Sequence, residues 1–156
     1  MLFIKFSKTG ADIPVDYEIK SVIRRAVEVT LLTEGIERDT EVSVTLADNA
    51  HIRELNSRFR GVDRHTDVLS FPMFDISELD GCIGPLTLGD VVISTERARE
   101  QAEELGNSYL HEVAFLTVHS ILHLLGYDHE RGEEDDELQC RKQREIIDEL
   151  KENSVI

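Results

Sequence analysis

The sequence predicts one α+β domain: a small mixed four-stranded β-sheet packed with helices around a buried central helix. Three observations carry this prediction. Apolar residues recur at every second position in some segments and at every third or fourth in others, which separates strands from helices. The stretch Val113 to Leu125 is apolar at most positions, the composition of a helix covered on most sides. No internal repeat, low-complexity tract or linker divides the 156 residues, a length suited to one core.

Leu2 to Phe6 alternates as a strand, and Asp16 to Thr33 places Ile19, Val22, Ile23, Ala26, Val27 and Leu31 on one helical face, closed by Gly35. Glu41 to Ala47 alternates again through Val42, Val44 and Leu46. Asp48 or Asn49 then caps a short helix carrying Ile52, Leu55 and Phe59. A polar turn from Arg60 to Thr66 leads to a strand at Val68 to Phe71, and a further strand is expected at Val91 to Ile93. Between these two strands a loop from Met73 to Leu88, with Pro85 and two glycines, is expected to border a cleft. From Thr95 to Gly126 the pattern is helical with a break near Gly106-Asn107-Ser108, and a last amphipathic helix covers Glu133 to Leu150. The expected order is β-α-β-α-β-β-α-α-α.

A net charge of −15 excludes a broad nucleic-acid-binding surface, because phosphate backbones are bound chiefly by clustered Lys and Arg. Any nucleic acid must therefore meet a local basic patch. The acidic run Glu130 to Glu137 reads as a solvated face that serves solubility. Cys82 and Cys140 match no metal or redox spacing and read as free thiols in a reducing compartment. With no signal-peptide pattern and no apolar stretch of membrane-spanning length, the expectation is a cytoplasmic protein with no membrane role. Oligomeric state is not set by these features.

Three of the six histidines fall at 119, 123 and 129. On a helix His119 and His123 project from one face a turn apart, near enough to bind one ion through nitrogens at about 2.0–2.1 Å. Gly126 ends the helix, and the reversal can bring His129 back toward that ion. Three imidazoles leave one tetrahedral position open, the arrangement of a catalytic zinc site rather than a structural one. The plain alternative is a set of core or surface histidines; against it, imidazoles buried without partners would each cost on the order of 1–3 kcal/mol. Three imidazoles would also accept nickel, cobalt or copper.

The spacing His-x-x-x-His-x-x-Gly-x-x-His matches the extended zinc motif of metzincin proteases, so a zincin-like fold is expected. In those proteases the first histidine is followed by a glutamate base, and here it is followed by Ser120. A serine hydroxyl cannot hold a proton from metal-bound water at neutral pH, which weakens a peptidase reading. Glu112 shares the face of His119 but lies about 10 Å away along the axis, and reads as a helix-start or supporting residue. Asp128 is placed to receive a ring N–H from a ligand histidine.

The block His119 to His129, together with Leu55 to Pro72 and Leu88 to Ser94, resembles the YbeY family of single-strand-specific endoribonucleases that mature bacterial ribosomal RNA. At position 120 that family more often has glycine, and at the position of His65 more often proline. The resemblance implies one zinc per chain held by His119, His123 and His129, and a role for Arg60 in ribonuclease activity. It also implies action on single-stranded RNA at the 3' end of 16S rRNA, a part in ribosome quality control, and ribosomal or small-subunit partners. The residues agree with the role of Arg60. Arg53, Arg58, Arg60 and Arg64 outnumber Glu54 and Asp63 in the most basic patch of the chain, and a guanidinium can clamp a phosphate at two points. Two further readings stay open: a zinc peptidase or amidohydrolase of the same fold, and a non-catalytic, metal-stabilised module that binds ribosomal components.

Overall fold

Strand β1 (Leu2–Thr9) runs parallel to β2 (Thr40–Ala47), with Leu2 opposite Thr40 and Thr9 opposite Ala47. Parallel neighbours need a crossover, and α1 (Tyr17–Thr33) supplies it. Asp16 caps α1 by accepting the Ile19 N–H at 3.0 Å, and Gly35 takes φ 73° just past its end. The structure is a computed structural model that describes residues 1–10, 13–74, 84–127 and 132–156.

Helix α2 (Asn49–Arg60) follows β2, then β3 (Val68–Pro72) and β4 (Leu86–Ser94). The sheet order is β1-β2-β4-β3, with β4 parallel to β2 and β3 antiparallel to β4 at the edge. The predicted mixed four-stranded sheet and element order are those observed. One boundary is corrected: Leu86 to Leu88, expected as loop, belong to β4, which has nine residues. Pro85 and Gly89 interrupt the apolar pattern there and hide the strand. Gly89 has φ 141°, and a Cβ on it would sit 2.1 Å from the Phe71 carbonyl oxygen, so only glycine lets β3 approach at this point.

Helices α3 (Thr95–Leu105), α4 (Tyr109–Leu124) and α5 (Glu133–Glu152) complete the fold. Gly106, in the left-handed region at φ 71°, and the Ser108 cap make the predicted break between α3 and α4. Alternation along the strands divides the interior. Val42, Val44, Leu46, Val91 and Ile93 meet α1 and α4 on one face, while Ala47, Leu69 and Val92 meet Ile52 of α2 on the other. A further cluster joins Val22 and Ala26 of α1, Ala114, Val118 and Leu122 of α4, and Ile146, Ile147 and Leu150 of α5. Each buried Val, Leu or Ile among them contributes roughly 1.5–3 kcal/mol by burial. Helix α4 thus packs between the sheet, α1, α3 and α5, the central helix expected from its composition. Acidic Glu133, Glu134, Asp135 and Asp136 form the first turn of α5, where negative charge offsets the helix dipole.

Candidate metal centre

Ser108 starts α4 by accepting the His111 N–H at 3.0 Å, and the helix ends at the Leu125 cap, followed by Gly126 at φ 106°. The Tyr127 N–H donates to Leu122 O at 3.1 Å across this turn, so the chain reverses as the sequence requires. From Val113 to Leu124 every residue of α4 is buried except Phe115, His119 and His123, which are partly covered and spaced by four. The two histidines therefore share the one open stripe of a central helix. This corrects the expectation that their rings are buried with the rest of α4: both are partly exposed.

Ser120 is fully buried, and its hydroxyl donates to Leu116 O at 2.7 Å. Occupied in this way, it is removed from proton transfer. His119 is tied to α5, with its Nδ1 2.7 Å from Nε2 of Gln143 and 3.4 Å from Nε2 of Gln139. That contact engages Nδ1, and Nε2 is the nitrogen through which the ring would ligate a metal. Two imidazoles a turn apart, one with a ring nitrogen engaged by α5, fit a borderline-soft divalent cation. Position 129 and Asp128 lie outside the described residues, and among the described residues no group of three donors converges.

Arg60 is the last residue of α2 and is exposed. Asp48 caps the start of that helix, accepting the His51 N–H at 2.8 Å, and this backbone contact is the chief reason its carboxyl titrates below the ordinary value. Gly61, at φ 69°, ends the helix. The next turn is pinned by buried Asn56, whose Nδ2 donates to Arg64 O at 3.0 Å, and by the exposed Arg53–Asp63 pair at 2.9 Å. Phe59 packs edge-on to Phe71 of β3, with ring centroids 5.6 Å apart. The end of α2 and the histidine helix therefore flank the same edge strand from opposite faces of the sheet. Among the described residues no hydrogen bond or ion pair joins Arg60 to His119 or His123.

Glu112, read as a helix-start or supporting residue, lies in the first turn of α4 and is 3% exposed. Burial raises its carboxyl above the ordinary range, Asp67 raises it further, and Arg97 opposes both. Because its folded pKa lies above its unfolded one, ionisation costs stability; that cost is absent below about pH 4.5 and grows as pH rises through the folded value. Glu112→Gln is expected to melt above the unsubstituted protein at pH 8 and level with it near pH 4. An equal offset at both pH values in calorimetric scans would refute this origin. The sequence reading missed Gln139, Gln143 and Asn56. Its available signal was the α5 stripe Gln139, Gln143, Ile146, Ile147 and Leu150, in which two amides occupy otherwise apolar positions.

Fold and site together define an α+β protein built on a central helix that presents a His-x-x-x-His pair beside an edge strand. The family model described as endoribonuclease YbeY matches residues 5–151, and the chain belongs to that family. It is 45% identical over 139 residues to an endoribonuclease YbeY from Caldanaerobacter subterraneus, covering 85% of this chain and 87% of the relative. The corresponding protein of Pelotomaculum thermopropionicum is 45% identical over 144 residues, covering 92% and 94%. The solution structure of TM1509 from Thermotoga maritima superposes with a TM-score of 0.64 at 27% identity, covering 98% of this chain and 95% of that one.

Proposed function

We propose that residues 1–156 form a single metal-dependent hydrolase domain, a zinc-dependent endoribonuclease specific for single-stranded RNA that acts in the cytoplasm. Its proposed task is ribosomal RNA maturation at the 3' end of 16S rRNA and ribosome quality control, in contact with small-subunit components. The observation that carries this reading is the placement of His119 and His123 on the one open stripe of a buried helix, in a chain whose relatives are named endoribonucleases. His119, His123 and His129 would hold the ion. When bound, zinc supplies a water acidified toward neutral pH and a Lewis acid for the phosphoryl oxygen.

The remaining work falls to the chain. Gln143 and Gln139 orient the ring of His119. Arg60 makes no ion pair among the described residues, so its guanidinium is available to neutralise charge developing on the phosphorus. Phe59 and Phe71, packed edge to face, hold the end of α2 that carries Arg60 against β3. With Ser120 bonded to Leu116 O, the general base of zinc peptidases has no counterpart at its usual position.

A flexible single strand can bend a phosphate into line at such a site, whereas a stiff A-form duplex presents its phosphates along a rigid surface. Unpaired RNA is therefore expected to be cut at least tenfold faster than a perfect duplex of the same sequence. The deciding experiment pairs metal analysis with gel-based cleavage of both substrates by the loaded and chelated protein. Equal rates on the two substrates would remove the single-strand preference. Tight zinc binding without cleavage of either would favour the non-catalytic ribosome-binding module.

A further inference from the structure

Helix α5 brings two buried amides to one ring nitrogen. Gln139 and Gln143 are four apart, 1% and 5% exposed, and both reach Nδ1 of His119. A single imidazole nitrogen either accepts one hydrogen bond or donates one, so two amides are more than it can use at once. Gln139 Oε1 is buried and has no hydrogen-bond partner among the described residues. Buried polar side chains at the head of an otherwise apolar stripe are costly unless they are needed there. Their neighbours on that stripe are Ile146, Ile147 and Leu150, which pack conventionally.

The two tautomers of His119 make opposite demands on these amides. With the proton on Nε2, Nδ1 accepts an amide N–H, the arrangement in which the Nε2 atoms of both glutamines face it. With Nε2 given to a metal, Nδ1 carries the proton and needs an acceptor. Rotating the Gln143 amide by half a turn places Oε1 at the same position, 2.7 Å from Nδ1, with no movement of either helix. Rotating Gln139 likewise turns its unpartnered oxygen toward the ring. We propose that Gln143, backed by Gln139, is the positioning residue of the metal centre: it fixes the ring of His119 with Nε2 outward and accepts the Nδ1–H when the metal is bound. Helix α5 is then part of the metal site although it supplies no ligand. This inference rests on the proposed zinc reading.

The test is zinc affinity, measured by competition with a chromophoric chelator, together with the visible spectrum of the cobalt-substituted protein and the melting temperature of the metal-free protein. Gln143→Leu removes the acceptor and keeps the volume. It is expected to weaken zinc binding by about 10- to 100-fold, the usual effect of losing such a partner, and to alter the cobalt bands, with metal-free melting little changed. Gln143→Glu keeps an acceptor and is expected to bind zinc at least as tightly as the unsubstituted protein. Should Gln143→Leu fold poorly, the Gln143→Glu and Gln143→Asn pair decides, because the shorter amide cannot reach the ring and should lose affinity while the acid retains it. Unsubstituted protein that binds zinc while all three variants bind it equally well overturns the positioning role and leaves the zinc reading intact. Unsubstituted protein that binds no zinc overturns both.

Discussion

His123→Ala is expected to lose the bound metal and, with it, all measurable RNA cleavage, while still folding. The side chain is only partly covered, so its removal leaves no large cavity in the core. The stability it costs is the part supplied by the ion. At a free metal concentration a hundred times Kd, binding stabilises the folded state by about 2.7 kcal/mol, which in a domain of this size corresponds to a rise of roughly 5–10 °C in Tm. Chelation should lower the Tm of the unsubstituted protein by that amount and leave His123→Ala unmoved. An unchanged melting curve after chelation would refute the site.

Arg60→Ala is expected to retain its zinc and its melting curve and to cleave RNA at least tenfold more slowly. One well-placed donor to developing phosphate charge typically contributes about 2–4 kcal/mol of transition-state stabilisation, enough for that loss and more. Arg60→Lys should recover only part of it, because the ammonium restores charge without the planar two-point fork. Arg25→Ala, on the exposed face of α1 and paired with Glu28 at 2.8 Å, serves as the control and should change little. If Arg25→Ala and Arg60→Ala reduce cleavage equally, the effect of Arg60 is diffuse charge and the phosphate does not sit beside it.

These two residues also mark how far the sequence could be read. The histidine pair is local: two rings four apart on a helix must share a face, so the pattern was visible without a structure. The break before α4 and the N-cap of α2 were visible for the same reason, since capping is decided within a few residues. What periodicity could not show was anything set by distant partners. The first half of β4 was hidden because Gly89 answers to the Phe71 carbonyl on another strand, not to its own neighbours. Gln139 and Gln143 passed as ordinary helix residues because their purpose lies across an interface, on His119. The partial exposure of the histidine rings depends on which neighbours stop short of α4, which no pattern along α4 itself contains.

The parallel arrangement of β1, β2 and β4 carries a consequence for how the protein matures. Leu2 cannot pair until Thr40 exists, and Thr40 needs Leu86 on its other side, so the middle of the sheet closes only through contacts made across long stretches of chain. Such topologies fold slowly, because loop closure must be completed before non-local contacts reward it. The histidine helix lies later still in sequence and packs on that sheet. A growing chain therefore has its whole sheet before His119 and His123 are made, but not yet the α5 residues Gln139 and Gln143 that hold the ring of His119. The orientation of the His119 ring is thus settled last, when α5 closes on α4.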